Sequence, residues 1–172
     1  MYATRLARAY TGRSKIAKFE GGWHGGYDAL HVAVRYPYDV PESAGLTAGA
    51  LKDTVVLPFN NLEGVEEKLK NEEIASVIIE PVLGAGGGVS AETEFLRGFR
   101  EFCDEEGILL IFDEVITGFR LAAGGAQQYY GVTPDITVFG KILGGGFPIG
   151  AFCGNREIMK RIDPHIYQRP TY

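Results

Sequence analysis

The sequence predicts an α/β domain with a largely parallel central sheet, because it contains two long apolar runs within a repeated alternation of strand-like and helix-like segments. The runs cover residues 108–112 and 136–139. The first ends abruptly at two acidic residues and the second at a Gly-Lys pair. Uninterrupted apolar runs bounded in this way are typical of strands that are covered on both faces. Helix-like segments between such strands favour parallel pairing with crossover helices.

The first half of the chain begins with a predicted amphipathic helix over residues 2–11, which ends at Gly12. Residues 15–19 alternate polar and apolar side chains, a pattern that predicts a strand. The strand leads into GGWHGG, residues 21–26, where four glycines predict a loop that brings the backbone close to another group. Residues 31–52 are expected to form an irregular surface segment or lid.

The remaining elements are predicted from the spacing of apolar residues and from the glycines and prolines that end helices and strands. Phe95, Phe99 and Phe102 recur at helical spacing before Gly107, so they predict a helix over residues 93–106. The other expected elements are, in order, a strand over 54–59, a helix over 62–71, a strand over 75–79 that ends at Glu80, a flexible loop over 84–88, a strand over 149–153 and a helix near 156–162.

Composition argues against several classes of function. The 172 residues carry a net charge of −5 and the basic residues are scattered, so no nucleic-acid partner is expected. No apolar run is long enough to span a bilayer and no signal-peptide pattern is present, which favours a cytoplasmic protein without a membrane partner. Cys103 and Cys153 are interpreted as buried thiols in preference to a disulfide. No metal site is expected, because no zinc-ligand spacing occurs.

The two apolar runs deliver one acid and one amine to the same edge of the predicted sheet. Ligands of open parallel sheets bind beyond the carboxyl ends of the strands, so Asp113 and Lys141 would face one crevice. Desolvation in a glycine-rich turn lowers the pKa of a lysine and makes its amine a nucleophile toward a carbonyl. The simpler interpretations are a surface lysine, and an aspartate that caps a helix or pairs with Arg120.

An acid and an amine placed together match the needs of pyridoxal phosphate. That cofactor requires a lysine to form a Schiff base and an acid to keep its ring nitrogen protonated. Trp23 could supply an aromatic ring over the cofactor, although a plain core position for Trp23 is an equal alternative. Nucleotide binding has weaker support, because residues 84–89 lack the last glycine of GxGxxG and Gly140-Lys141 lacks the flanking residues of a P-loop.

Four segments resemble the class-III aminotransferases, namely GGWHGG, VIIEPVLGAGGG (77–88), LIFDEVITGFR (110–120) and YGVTPDITVFGKILGGGFPIGAF (130–152). Residues 5–21 and 123–135 resemble more narrowly the glutamate-1-semialdehyde 2,1-aminomutases and their relatives. The resemblance covers practically the whole chain. It implies the three-layer αβα large domain of fold-type-I pyridoxal-phosphate enzymes. Residues 1–172 would be the central part of that domain, without an N-terminal phosphate-binding segment and without the C-terminal small domain.

The resemblance also implies roles for individual residues. Lys141 would be the internal-aldimine lysine and Asp113 the partner of the pyridinium nitrogen, and both would be catalytic. The other implied cofactor-binding residues are Val115 against the ring, Trp23 in the stacking position with His24 beside it, and Thr171 toward the cofactor phosphate of a neighbouring subunit. Pro170 stands before Thr171 where glycine would be expected.

The implied reaction is amino-group transfer on a small amino-acid or amino-aldehyde substrate, with Lys141 also moving the Cα proton. Both an aminomutase and an ordinary transaminase remain open, because residues 31–50 do not resemble the gating loop of aminomutases. The parent enzyme is expected to be a homodimer with sites at the subunit interface. The alternatives are an inactive fragment of such an enzyme and a nucleotide-binding α/β domain. Glu80 is expected to face the same crevice, either as an acid that acts through another residue or as a helix or loop cap.

Overall fold

A six-stranded sheet forms the centre of the protein in a computed structural model, which describes residues 1–171. The strands of the chain are β1 (Lys15–Phe19), β2 (Thr54–Leu57), β3 (Ile74–Ile79), β4 (Val82–Leu83), β5 (Val89–Ser90), β6 (Leu109–Asp113), β7 (Ile136–Phe139) and β8 (Ala151–Gly154). The order in the large sheet is β2-β1-β3-β6-β7-β8, and β4 pairs with β5 in a separate hairpin. All neighbours in the large sheet are parallel except β7 and β8. The predicted largely parallel sheet is therefore confirmed.

Helices cover both faces of the sheet, which confirms a three-layer αβα arrangement. The helices are α1 (Tyr2–Thr11), α2 (Ala48–Leu51), α3 (Leu62–Leu69), α4 (Thr93–Glu106), α5 (Gly125–Tyr130) and α6 (Arg156–Met159). One buried cluster joins α1 and α6 to the sheet, and a second joins α3, α4 and α5 to its other face. The central strands are consequently buried on both sides, as their apolar runs require.

Aromatic packing holds α4 against the sheet. Phe19 of β1 makes edge-to-face contacts with Phe95 and Phe99, at ring-centroid distances of 5.7 and 5.3 Å. Burying a side chain of this size contributes roughly 1.5–3 kcal/mol. The helix ends at Gly107, whose φ of 62° is the left-handed conformation expected of a glycine stop. Arg13 donates hydrogen bonds to the carbonyls of Glu106 and Gly107, so the helix end is tied to the start of β1.

Some expectations from the sequence need correction. The strand predicted over residues 15–19 is confirmed as β1, but its alternating polar and apolar side chains do not alternate in exposure, because residues 16–19 are all buried between two neighbouring strands and two helical layers. The helices α2 and α5 and the β4–β5 hairpin around residues 84–88 were not predicted, since such short elements show little periodicity. Cys103 and Cys153 are free thiols as expected, but Cys153 is exposed because it lies on the edge strand β8. Within residues 1–171, no helix combines the length and apolar character needed to cross a membrane.

Candidate active site

Four parallel strands, β1, β3, β6 and β7, end at one edge of the sheet. Polar and aromatic side chains follow each of them, namely Trp23 and His24 after β1, Glu80 after β3, Asp113 at the end of β6 and Lys141 after β7. Asp113 pairs with Val138 in the ladder between β6 and β7, and Lys141 comes three residues after Val138. The carboxyl edge of the sheet is the place where α/β folds bind ligands.

Asp113 is held by His24 and by the turn that follows it. Its Oδ2 atom lies 2.8 Å from His24 Nδ1, and its Oδ1 atom accepts a hydrogen bond of 3.1 Å from the Val115 N–H. The side chains of His24 and Asp113 are only 1% and 9% exposed. A buried carboxylate requires such partners, and Asp113 finds them in His24 and the Val115 N–H instead of the expected alternative, Arg120.

His24 reaches Asp113 because the backbone of Gly22 lies directly against its ring. A Cβ atom at Gly22 would lie 3.0 Å from His24 Nε2. The glycine is therefore needed for close approach, as the GGWHGG motif predicted. His24 Nε2 is buried and has no hydrogen-bond partner among residues 1–171. A buried nitrogen of this kind marks a place where a further polar group could bind.

Lys141 stands in a strained turn beside Val115. The φ angle of Lys141 is 46°, which is uncommon for a residue other than glycine and is often found at functional sites. A Cβ atom at Gly140 would lie 3.4 Å from one Val115 methyl carbon and 3.6 Å from the other. Val115 therefore bridges the turn after Asp113 and the turn that carries Lys141. The expectation that Lys141 is desolvated is wrong for this chain, because Lys141 and nearly all of residues 142–150 are exposed.

Trp23 is not a core residue. Its side chain is 42% exposed, and its ring contacts His31 edge to face with the ring centroids 5.0 Å apart. The Trp23 N–H donates a hydrogen bond of 2.7 Å to Glu80 Oε1. The indole is thus presented at the carboxyl edge of the sheet on a loop whose backbone is fixed. The alternative of a plain core position is wrong.

Glu80 joins two loops at this edge. Its Oε2 atom accepts a hydrogen bond of 3.0 Å from the Gly84 N–H, in addition to the bond from Trp23. Burial raises the pKa of Glu80, the two backbone N–H groups and the nearby His24 oppose that shift, and Asp113 adds to it. The loop-capping interpretation of Glu80 is confirmed, and the carboxyl group also lies within the electrostatic reach of His24 and Asp113.

Lys18 was not predicted from the sequence as part of this region. It is completely buried, and its Nζ atom donates to the carbonyls of Gly22, Leu30 and Val32 at 2.7, 3.3 and 2.5 Å. Burial lowers the pKa of Lys18 to about 8, and the charges of Glu80 and Glu42 oppose the shift. The available signal in the sequence was a lysine inside a strand next to the glycine-rich loop.

Thr171 lies at the far end of the described chain. Its N–H donates a hydrogen bond of 3.0 Å to the carbonyl of Arg161, in the segment that follows α6. That contact does not involve the residues at the carboxyl edge of the sheet. The role expected of Thr171, toward the phosphate of a neighbouring subunit, stays a prediction.

An αβα sheet that carries an acid, a lysine and an exposed aromatic ring at its carboxyl edge defines an α/β domain with a candidate enzyme site. The family model for aminotransferase class-III matches residues 1–172, and the chain belongs to that family. It is 50% identical over 99% of its length to the glutamate-1-semialdehyde 2,1-aminomutase of Chlorobium phaeobacteroides strain BS1. It spans 41% of the length of that curated relative.

Two solved structures show the same fold. An omega-transaminase from Sphaerobacter thermophilus superposes with a TM-score of 0.90 at 43% identity, over 98% of this chain and 40% of the transaminase. A transaminase solved with pyridoxal phosphate bound superposes with a TM-score of 0.87 at 43% identity, over 94% of this chain and 39% of its own. The fold class expected from the sequence, the large domain of fold-type-I transferases, is confirmed.

Proposed function

We propose that the protein containing this chain catalyses pyridoxal-phosphate-dependent amino-group transfer. The observation that carries the proposal is the placement of Asp113 and Lys141 at the ends of neighbouring parallel strands. Membership of the aminotransferase class-III family and similarity to a transaminase solved with pyridoxal phosphate support it.

The residues at the carboxyl edge fit this cofactor chemically. Each carboxylate oxygen of Asp113 accepts one hydrogen bond, so each keeps a lone pair that could accept another from a protonated ring nitrogen. Lys141 is exposed and can present a primary amine to an aldehyde. Trp23 and Val115 would contact the cofactor ring, and His24 would orient Asp113. Thr171 would bind the phosphate of the cofactor held by a neighbouring subunit. When bound, pyridoxal phosphate supplies an electron sink that stabilises negative charge at the substrate Cα.

Asp113 and Lys141 would have different roles in the reaction. His24 and the Val115 N–H hold the carboxyl group of Asp113 in place, because both contact its oxygen atoms. That carboxylate keeps a positive charge on the group it faces. Lys141 Nζ is the amine that would hold the cofactor and, when free, would take a proton from the substrate Cα and return it.

The substrate class we propose is a small amino acid or amino aldehyde, by analogy with the aminomutase that is 50% identical to this chain. An aminomutase returns the amino group to the same molecule, whereas a transaminase passes it to a separate keto acid. Turnover of glutamate-1-semialdehyde with and without an added keto acid separates the two. We further propose a cytoplasmic homodimer with its sites at the subunit interface.

Reductive trapping tests the assignment of Lys141. The protein is incubated with pyridoxal phosphate and reduced with borohydride, which fixes the aldehyde to an amine as a stable secondary amine, and the labelled peptide is mapped. We expect the label on Lys141 and its loss in Lys141→Met. Lys160→Met is the matched control, because Lys160 is a lysine paired with Glu157 outside the carboxyl edge. A label that persists in Lys141→Met at the wild-type level would end the assignment.

A further inference from the structure

One peptide group of the GGWHGG loop lies between two buried ionisable side chains of opposite charge. The Gly22 carbonyl accepts a hydrogen bond of 2.7 Å from Lys18 Nζ. The N–H of the same peptide group belongs to Trp23 and donates a hydrogen bond of 2.7 Å to Glu80 Oε1. Lys18 is fully buried and Glu80 is 4% exposed. The positive charge of Lys18 therefore lies at the carbonyl end of the peptide dipole, and the negative charge of Glu80 lies at its N–H end.

Each of the two side chains also reaches beyond that peptide. Lys18 donates to the carbonyls of Leu30 and Val32 as well, so its three Nζ hydrogens match three acceptors. Glu80 uses its second oxygen to accept from the Gly84 N–H. Lys18 therefore joins both ends of residues 22–32, and Glu80 joins this segment to the turn between β4 and β5.

The loop has little conformational preference of its own. Gly21 and Gly25 adopt φ angles of 78° and 79°, and glycine reaches such conformations at little steric cost. Charge-assisted hydrogen bonds are stronger than neutral ones, so bonds at both ends of one peptide group oppose its rotation. Trp23 begins at this peptide and His24 follows it, so the orientation of the peptide determines where the indole and the imidazole lie.

We propose that Lys18 and Glu80 are a pair of positioning residues that fix the Gly22–Trp23 peptide and so hold the Trp23 ring in place for the cofactor ring. The cofactor part of this proposal rests on the proposed function, whereas the fixing of the peptide does not. Removing one member leaves the other charge buried without its partner, which destabilises the fold. Removing both leaves no unpaired charge, yet the peptide loses its fixed orientation.

Trp23 is the only tryptophan of the chain, so its fluorescence reports on the loop directly. The variants are Lys18→Met, Glu80→Met and the double variant, each compared with wild type by urea denaturation, by acrylamide quenching and by titration with pyridoxal phosphate. We expect both single variants to unfold at lower urea and the double variant to recover the part of that loss that comes from the uncompensated charge. Because the indole is 42% exposed in the fixed loop, we expect quenching to rise by about twofold in the double variant when the loop is released. Its affinity for pyridoxal phosphate should fall about tenfold.

Lys68→Met is the matched control, because exposed Lys68 also donates to a backbone carbonyl, that of Val56, on an edge strand of the sheet. It should leave quenching and cofactor affinity unchanged. A merely structural role would restore quenching and affinity together with stability in the double variant, and that result would overturn the proposal.

Hydrogen exchange of the wild-type Trp23 amide tests the same idea without a variant. The amide should be protected although it lies in a glycine-rich loop, and free exchange would also overturn the proposal. If wild type takes up no pyridoxal phosphate, the proposed function fails, while quenching and exchange still decide whether the peptide is fixed.

Discussion

His24 Nδ1 lies 2.8 Å from Asp113 Oδ2, and this contact joins the loop after β1 to the end of β6, across 89 positions of sequence. Both side chains are almost fully buried. The contact gives Asp113 a partner that its own strand cannot provide, because the following turn offers it one N–H, that of Val115. The acid at the candidate site thus depends on a loop from the other side of β3.

Replacing His24 tests that dependence. In His24→Phe the ring is kept but the nitrogen is lost, so Asp113 retains the Val115 N–H alone. We expect the free energy of unfolding to fall by about 1–3 kcal/mol, the usual cost of leaving a buried polar group without a partner. Affinity for pyridoxal phosphate should fall as well. Urea denaturation followed by circular dichroism, and a spectroscopic titration with the cofactor, measure the two effects.

His165→Phe is the control for this substitution, because His165 is exposed and lies near the end of the chain. It should change neither quantity. Equal stability of His24→Phe and wild type would show that the contact with Asp113 contributes nothing.

The positions of Asp113 and Lys141 at the sheet edge could be predicted from the sequence, because Asp113 directly follows one long apolar run and Lys141 follows the other after a single glycine. A run of that kind fixes the position of a strand end, and parallel strands end at one edge. Lys18 could not be recognised in the same way. The partners that compensate its burial are carbonyls at residues 22, 30 and 32, and only the path of the loop brings them together.

The start of α5 was missed for a related reason. Glu114 accepts hydrogen bonds from the N–H groups of Ala126 and Gln127, and so caps a helix that begins at Gly125, outside its own turn. The apolar pattern of α5 is too short to predict a helix. Its capping residue is also not adjacent to the helix start, where such residues are normally sought. Expectations based on local spacing therefore located the strands of the large sheet and the site edge, whereas the short hairpin and the contacts between distant loops required the structure.

Gly84 is a position where a methyl group has no room. A Cβ atom there would lie 2.3 Å from Ile116 Cδ1 and 3.2 Å from Glu80 Oε2. We expect Gly84→Ala to lower the free energy of unfolding by about 1–3 kcal/mol, as overpacking does. Adding Ile116→Val removes the Cδ1 atom and should restore part of the loss, measured by urea denaturation of the single and double variants.

Gly49→Ala is the matched control, since nothing lies within 4 Å of a Cβ atom at Gly49 in α2. It should be neutral or slightly stabilising, because alanine loses less conformational entropy than glycine in a helix. If Ile116→Val gave no recovery in the Gly84→Ala background, the close contact would not be the cause of the destabilisation.

The buried amine of Lys18 predicts how stability changes with pH. Its pKa is about 8 in the folded protein and 10.5 when unperturbed, so between these values the unfolded chain binds more protons. The free energy of unfolding should therefore rise with pH across this window, by up to about 1.4 kcal/mol per pH unit from this group. The contribution is complete above the unfolded pKa and is lost as the pH falls through 8.

The measurement compares urea denaturation of wild type and Lys18→Met at a series of pH values from 7 to about 10.5. The free energy of unfolding of wild type minus that of Lys18→Met should be constant below pH 8 and should increase as the pH rises above 8. Glu80 and Glu42 are the charges that raise the pKa of Lys18. Glu80→Gln should therefore start the rise at lower pH. A difference that moves against wild type as the pH increases would contradict the assignment.

The two cysteines should differ strongly in how fast their thiols react with a disulfide reagent. Cys103 lies on the buried face of α4, and burial raises the pKa of its thiol far above the ordinary value. Cys153 lies on the edge strand β8 and is exposed, although partial burial raises the pKa of its thiol as well.

Because the thiolate is the reactive form and must also be accessible, Cys153 should react with a disulfide reagent in the native state and Cys103 only on unfolding. Ellman's reagent should thus count one thiol at pH 8 and both thiols of the sequence in urea, whereas Cys153→Ser should count none before unfolding. Fast reaction of both thiols in the native protein would mean that α4 opens far more often than its packing against Phe19 allows.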